Sequence, residues 1–132
     1  KENKPDVKVH AVEPPSGERV EGLRSLDDGY GPPVFEKWGG IELLDGKRIV
    51  RPADSLAWTR RLVNDAGIFA GISSGSSLAG AVKVAERHDA AADGPATIVF
   101  IVSDAGWKYL STGAYTEPLE QVIDSIEDVI YF

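Results

Sequence analysis

Apolar and polar positions alternate near the start of the chain in a way that predicts short strands. Val7, Val9 and Ala11 alternate with polar residues, which is the spacing of a half-buried strand. Residues 48–51 are predicted as a second short strand. Between them, residues 13–46 are interrupted repeatedly by glycine and proline, so this region is expected to contain loops and short helical pieces.

Apolar residues three or four positions apart predict three longer helices. The first has Asp54 as its N-cap and Gly67 just past its end. The second begins at Ser76 and stops at the Asp-Gly-Pro sequence of residues 93–95. The third follows Pro118 and carries an apolar stripe on an acidic segment. The stripe consists of Leu119, Val122, Ile123, Ile126, Val129 and Ile130.

Two apolar runs complete the pattern. Residues 68–70 are predicted as a short strand, and residues 97–102 form an unbroken run rich in β-branched side chains. A strand without polar alternation is typical of a parallel sheet that is buried on both faces. The order of elements therefore predicts an α/β fold, a three-layer sandwich with a mainly parallel sheet flanked by helices. Residues 1–132 are expected to form a single domain.

The composition narrows the possible partners. The chain has 21 acidic and 14 basic residues, a formal charge of −7, so no nucleic acid partner is expected. With no cysteine and two histidines, no metal centre is expected either. No apolar run approaches the roughly 20 residues of a membrane span and no secretory signal is recognised, so a cytoplasmic location is predicted. The chain contains no methionine, and we expect it to be processed, cut or a portion of something longer.

The turn Gly71-Ile72-Ser73-Ser74-Gly75 is the strongest candidate for chemistry. A strand that leads through small residues into a helix gathers backbone N–H groups and the positive end of the helix dipole at one point. α/β sheets usually bind ligands at this edge. The alternative is that the serines of the segment serve as helix caps, and Ser74 and Ser76 are predicted to do so.

The same turn matches the G-x-S-x-G nucleophile elbow of α/β-hydrolases. A hydrolase also needs a histidine that follows the serine in the chain. His88 would lie on the same helix as Ser73, about 22 Å away at 1.5 Å per residue, and His10 precedes the serine. The sequence therefore argues against a hydrolase triad.

Four stretches of the chain carry a more extensive resemblance. They are PDVKVHAVEP, EGLRSLDDGYGPP, NDAGIFAGISSGSSLAGA and VSDAGWKYLSTGAY. In this order they resemble a strand, the active-site loop, the cofactor turn and the closing segment of the cysteine synthase family. These are fold-type II enzymes that use pyridoxal 5′-phosphate (PLP) to replace the β-substituent of an activated serine. The resemblance covers most of the chain and corresponds to the C-terminal portion of such an enzyme.

The resemblance implies a cofactor site at the turn. Ser73 would donate a hydrogen bond to the pyridine nitrogen of PLP, while Gly71, Asp104 and Gly106 would line the ring. A neutral hydroxyl does not stabilise a protonated ring nitrogen, so the ring is a weaker electron sink than one paired with a carboxylate. Such a ring suits elimination of a β-leaving group.

Arg24, Ser25 and Gly29 fall in the stretch that resembles the substrate-facing loop, and they are predicted to bind the amino-acid substrate. Many family members have a neutral residue at the position of Arg24 and use O-acetylserine. An arginine resembles the branch that accepts O-phosphoserine, where a guanidinium would hold the phosphate through two hydrogen bonds. The stretch DAGWKYLSTGAY resembles the actinobacterial form of that branch. In that branch the sulfur donor is a thiocarboxylated carrier protein rather than sulfide. The alternative of a solvated surface arginine remains open.

The sequence departs from the family at two points. The Schiff-base lysine of the family lies in an S-x-K-x-R type segment, and the phosphate-binding loop is rich in glycine and threonine. Neither segment is found in the chain. We therefore predict no catalytic residue within these 132 residues and no activity of the isolated chain. PLP is expected as the cofactor of the full-length enzyme. The resemblance also implies a homodimer.

Two alternatives to a cysteine synthase remain. The chain could be a portion of a serine/threonine dehydratase or cystathionine β-synthase, or a non-enzymatic α/β binding module.

Overall fold

A computed structural model describes residues 1–29 and 31–128. Its two strands are β1 (His10–Glu13) and β2 (Gly46–Ile49). Its helices are α1 (Pro33–Lys37), α2 (Pro52–Ala66), α3 (Ile72–Ala91) and α4 (Leu119–Asp128). Short 3-10 helices span Leu26–Asp28, Gly40–Leu43 and Gly106–Thr112.

The two strands form a small parallel sheet. They pair in register from His10 opposite Gly46 to Glu13 opposite Ile49. This confirms the predicted α/β class with parallel pairing. Both strands are displaced from the predicted positions, because β1 begins three residues after Val7 and β2 ends before Arg51.

Helix α2 follows the prediction at its end and departs from it at its start. Gly67 adopts the left-handed conformation (φ 68°) and ends the helix, as expected. The helix begins two residues before Asp54, because Pro52 occupies the first helical position, where its fixed φ is already helical. Asp54 therefore lies in the first turn, and its prediction as the N-cap was wrong.

Helix α3 begins at Ile72, so Ser73, Ser74 and Gly75 belong to its first turns and not to a preceding loop. The small residues at this end allow α3 to pack closely against α2. A Cβ on Gly75 would clash with Thr59 and come within 2.5 Å of the Ser55 carbonyl oxygen. The glycine is therefore required by helix packing.

The core lies where α2, the start of α3 and the C-terminal region meet. Its buried members are Val20, Leu56, Ile72, Tyr109, Ala114 and Val122. Leu119 and Ile123 of α4 pack against this cluster, which confirms that the amphipathic segment after Pro118 forms a packed helix. Val129 and Ile130 of the predicted stripe lie outside the described residues.

The apolar run at residues 97–102 is the largest departure from the prediction. It forms no strand, and Val99 and Ile101 are 85% and 73% exposed. Residues 68–70 likewise form no strand beyond an isolated bridge between Ala70 and Ala105. A strand needs hydrogen-bonded neighbours, and the described residues supply none for 97–102. The prediction of a strand buried on both faces was therefore wrong for this chain.

None of the helices within residues 1–29 and 31–128 combines the length and apolar character that crossing a membrane requires.

Candidate functional site

Ser73 is the second residue of α3 and follows the extended backbone of Gly71. Its side chain lies at the end of the helix where N–H groups lack intrahelical partners and the dipole is positive. The residue is 7% exposed. A Cβ on Gly22 would lie 3.7 Å from Ser73 Oγ, so the loop that leads to Arg24 contacts this serine. The fold thus brings the two predicted ligand-binding segments together.

The four serines of the segment have different hydrogen-bonding roles. Ser74 Oγ accepts a hydrogen bond from the Ser103 N–H (3.1 Å), and Ser76 Oγ donates to the Ile72 carbonyl (3.3 Å). Ser77 Oγ donates to the Ser73 carbonyl (3.0 Å). No side chain caps α3, so the prediction of Ser74 and Ser76 as caps was wrong.

Ser73 differs from these three neighbours. Within the part of the chain that the structure describes, its hydroxyl has no hydrogen-bond partner. It is therefore the hydroxyl of the segment that remains available to a ligand. In a largely buried position, a donor of this kind can fix the orientation of a polar ligand atom.

Asp104 lies directly beside the turn. The Gly71 N–H donates to the Asp104 carbonyl oxygen (2.9 Å), and a Cβ at position 71 would clash with Asp104 Oδ1. Asp104 Oδ2 accepts a hydrogen bond from Tyr109 (2.8 Å) and lies 3.4 Å from Lys108 Nζ. Oδ1 is buried and has no partner among the described residues. The structure therefore places Gly71 and Asp104 in contact, next to Ser73.

The Asp104 carboxylate contributes to raised pKa values of two tyrosines and one glutamate. Burial, together with the hydrogen bond to Asp104, raises the pKa of Tyr109 far above its usual value. Burial, with the nearby charge of Asp104, raises the pKa of Tyr115 to about 12. The pKa of Glu21 is also raised, first by burial and then by Asp104. Both phenols are therefore protonated donors at neutral pH.

Tyr115 also stabilises the approach to the turn. Its hydroxyl donates to the Ala70 carbonyl (2.7 Å), and its ring packs at 4.9 Å from the ring of Phe69. Gly106 lies beneath these rings, where a Cβ would come within 2.6 Å of Phe69. The segment from Phe69 to Gly71 is therefore held from the side of the 3-10 helix Gly106–Thr112.

The loop with the predicted substrate-binding residues is firmly anchored. Ser25 is fully buried, and its Oγ accepts a hydrogen bond from the Asp27 N–H (3.3 Å) at the start of the short 3-10 helix. Gly29 ends that helix in the left-handed conformation (φ 78°). Arg24 is exposed. Ser25 and Gly29 thus shape the loop, and the binding of substrate by these three residues stays a prediction.

An ion-pair network behind this loop was not found by sequence reasoning. Glu13, at the end of β1, is 1% exposed and accepts a hydrogen bond from the Leu26 N–H (2.8 Å). Lys47 of β2 lies 2.9 Å from Glu13 Oε1 and 2.6 Å from Asp27 Oδ1. The position of Glu13 at the end of a predicted strand, directly before two prolines, is the sequence feature that could have indicated this buried acid. We call Glu13, Asp27 and Lys47 the loop anchor.

Comparison with solved structures identifies the class. Cysteine synthase from Entamoeba histolytica superimposes with a TM-score of 0.69 at 27% identity, over 98% of this chain and 40% of that chain. O-acetylserine-dependent cystathionine β-synthase from Helicobacter pylori gives 0.68 at 27% identity, over 86% of this chain and 37% of that chain. The fold is that of the fold-type II PLP enzymes.

Within this class, the sequence is similar to cysteine synthases. Cysteine synthase B of Escherichia coli is 33% identical over 117 residues, which is 89% of this chain and 36% of the relative. The chain is thus homologous to the cysteine synthases over most of its own length. It spans about a third of the length of the curated relatives it matches. No protein-family model matches the chain.

Proposed function

We propose that this chain forms the ring-nitrogen wall of the active site of a PLP-dependent cysteine synthase. The reaction joins an activated serine and a sulfur donor to form L-cysteine. The observation that carries the proposal is the Ser73 hydroxyl, which is largely buried at the positive end of α3 and has no partner among the described residues. PLP, when bound, supplies the electron sink for breaking the bond at the β-carbon.

The residues around the turn fit the nitrogen side of a pyridine ring. Ser73 can donate a hydrogen bond without adding negative charge, and the positive end of α3 disfavours a second positive charge at the same point. Asp104 Oδ2 accepts a hydrogen bond from Tyr109 and lies near Lys108 Nζ, so this oxygen holds neighbouring side chains in place. We expect Gly71 to let the ring approach the backbone closely.

We further propose that the lysine that binds PLP and the phosphate-binding loop come from outside these 132 residues. The isolated chain should therefore show no turnover. A cytoplasmic, homodimeric enzyme with an amino-acid substrate is the natural setting for such a site, as for the cysteine synthases that the sequence resembles.

The activated serine that binds at this site is inferred from Arg24. It is exposed and two residues from Gly22, whose backbone lies against Ser73. A guanidinium can form two charge-assisted hydrogen bonds with a phosphate, which are stronger than those of a neutral side chain. We therefore propose O-phosphoserine as the activated serine, with O-acetylserine as the alternative, and a thiocarboxylated carrier protein as the sulfur donor.

A chimera tests the function of this chain directly. The matched region of Escherichia coli cysteine synthase B is replaced by these 132 residues, and cysteine formation is measured with sulfide. We expect activity in the chimera, and Ser73→Ala should lower kcat by about 10- to 100-fold, as expected for loss of a buried hydrogen bond to a reacting group. Ser77→Ala is the matched control, because its hydroxyl bonds within the helix. A folded chimera that binds PLP but tolerates Ser73→Ala would contradict the proposal.

The same chimera separates the substrates. With Arg24 present, O-phosphoserine should be preferred over O-acetylserine, and Arg24→Ala should reduce kcat/KM for the phosphorylated substrate by at least about tenfold. Arg19→Ala, on an exposed arginine outside the loop, is the control. An unchanged preference would remove the phosphate-binding role and leave the cofactor role of Ser73 intact.

The similarity to a cystathionine β-synthase supports a second candidate. Such an enzyme uses a larger thiol amino acid in place of sulfide. Supplying homocysteine to the chimera distinguishes the two, because a chimera that turns over homocysteine faster than sulfide would favour the second candidate.

A further inference from the structure

Arg24 is an unpaired cation in a chain with more acidic than basic residues. Within residues 1–29 and 31–128 its side chain forms no hydrogen bond or ion pair, and the residue is exposed. Asp27 and Asp28 follow it by three and four residues, the separation at which opposite charges commonly pair along one helical turn. What holds these two carboxylates therefore determines whether Arg24 is available to a ligand.

Asp27 is held by the other two members of the loop anchor. Lys47 Nζ lies 2.6 Å from Asp27 Oδ1 and 2.9 Å from Glu13 Oε1, so one ammonium group bridges the two carboxylates. Its hydrogen bond to Asp27, and then that to Glu13, raises the pKa of Lys47, so the bridging group is charged at neutral pH. The Glu13 side chain is 2% exposed and fixes the bridge to β1. Lys47 therefore draws the Asp27 carboxylate towards the two strands.

Asp28 is held by a different segment. Its Oδ1 accepts hydrogen bonds from Ser16 Oγ (2.5 Å) and from the Gly17 N–H (3.2 Å), which belong to the turn after β1. Glu21, three residues before Arg24, is half-buried and forms no ion pair in the described part of the chain. The carboxylates nearest to Arg24 in the sequence are thus kept from its guanidinium.

The backbone on both sides of Arg24 is also fixed. Before it, the Leu23 N–H donates to the carbonyl of Val20 (2.8 Å), a buried member of the core. After it, the Leu26 N–H donates to Glu13 Oε2 (2.8 Å). The loop therefore presents the guanidinium from a preorganised backbone, which reduces the conformational entropy lost when a ligand binds.

We propose that Lys47 is a positioning residue for substrate selection. By binding Asp27 it keeps that carboxylate from pairing with Arg24, and it thereby leaves the guanidinium free for the phosphate of the substrate. The inference rests on the proposed role of Arg24 and adds to it a residue of β2 that touches no substrate. Without Lys47, the Asp27 carboxylate would compete with the phosphate for the same guanidinium.

Kinetics of the chimera described above test this step. Lys47→Gln should raise KM for O-phosphoserine about three- to fivefold, the competition that one exposed ion pair offers, while kcat for this substrate and turnover of O-acetylserine stay unchanged. Adding Asp27→Asn should restore KM, because the competing charge is then absent. A purely structural role of Lys47 would instead impair both substrates and would not be rescued by Asp27→Asn, and that result would overturn the proposal.

Lys47→Gln combined with Glu13→Gln is the matched control. It has the same net charge as Lys47→Gln with Asp27→Asn, but it leaves the Asp27 carboxylate free, so KM should stay raised. A return to the original KM would show that net charge alone sets the affinity and would overturn the proposal. If Lys47→Gln alone does not fold, this double variant replaces it as the starting point. Adding Asp27→Asn to it should then lower KM, whereas adding Asp89→Asn, at the exposed end of α3, should not.

The same measurements separate this inference from the proposed function. A folded chimera without O-acetylserine turnover would contradict the proposed function and this inference with it. An Arg24→Ala variant with unchanged KM for O-phosphoserine would remove the phosphate-binding role on which the inference rests. A raised KM in Arg24→Ala together with an unchanged KM in Lys47→Gln would overturn the role of Lys47 alone.

Discussion

Glu21 and Asp104 are carboxylates that influence each other beside the candidate site. Burial and the charge of Asp104 raise the pKa of Glu21 in the folded chain. The folded state therefore binds this proton more tightly than the unfolded state, and stability increases as the pH falls through the folded pKa towards the unfolded value.

Glu21→Gln should consequently raise the thermal midpoint at pH 7 and lose this advantage near pH 4, where Glu21 is protonated in both states. Thermal unfolding followed by circular dichroism across pH 4–7 measures the difference. Glu86→Gln, on the exposed part of α3, provides the control. A stabilisation that is the same at both pH values would show that repulsion at this carboxylate is not its cause.

The loop anchor predicts a large effect from a single buried acid. Glu13→Gln removes the charge that faces Lys47, and it should cost about 1.5–3 kcal/mol of stability in urea unfolding. Glu18→Gln is a matched control, because Glu18 pairs with a well-exposed Arg51 and should cost less than about 1 kcal/mol. Equal effects of the two substitutions would contradict the role of the anchor.

For single residues, the sequence predicted which residues lie at the candidate site better than it predicted their hydrogen-bond and ion-pair partners. Gly71 and Asp104 were expected at one site, and the structure brings them into contact. The link from Ser74 to the Ser103 N–H and the pairing of Glu13 with Lys47 were not foreseen. Such contacts join residues far apart in the chain, and local periodicity carries no information about them.

Helix packing decides which small residues are essential at the scale of elements. Gly75 faces backbone atoms of α2 that cannot move aside easily. Gly75→Ala should therefore destabilise the chain by about 1–3 kcal/mol through overpacking, against a gain of about 1 kcal/mol in helix propensity. Chemical denaturation measures the net effect.

Gly80→Ala is the comparison for that prediction. A Cβ at Gly80 would meet the Val12 side chain, which can adjust more readily than backbone. It should cost less than Gly75→Ala, and the reverse order would contradict the packing argument.

The start of α3 shows why element boundaries were harder to predict than element types. Serine and glycine usually favour turns, so the helix was expected to begin at Ser76. Burial against α2 outweighs this local preference and extends the helix back to Ile72. The end of α2 was predictable because Gly67 satisfies a purely local requirement for positive φ.

At the scale of the whole molecule, the exposed apolar segment at residues 97–102 is expected to determine whether the chain associates in solution. Its exposed apolar side chains, including Val99 and Ile101, form the kind of surface that drives association. We expect the free chain to self-associate weakly or to hold another polypeptide in this region.

Sedimentation velocity should show mass increasing with concentration, and Val99→Lys combined with Ile101→Lys should reduce the increase. Val34→Lys, at a 69% exposed valine on α1, is the control. A monomer at all concentrations for the unaltered chain would contradict self-association.

The sequence could predict that residues 97–102 favour a strand, because β-branched composition is a local property. It could not predict their exposure, which depends on neighbouring strands that the described residues do not supply. The match covers 36% of the curated relatives, which is consistent with such neighbours lying elsewhere in those longer proteins.

Arg60 joins α2 to the turn that precedes α4. Its Nε donates to the Ala114 carbonyl (2.7 Å), and Nη2 donates to the Glu117 carbonyl. Proteases bind their substrates in an opened, extended form, so a turn held by one guanidinium at two carbonyls should resist digestion although Thr116 is exposed. Loss of this fork would leave the peptide bond after Tyr115 as an early chymotryptic cleavage point, separating the last helix from the rest of the chain.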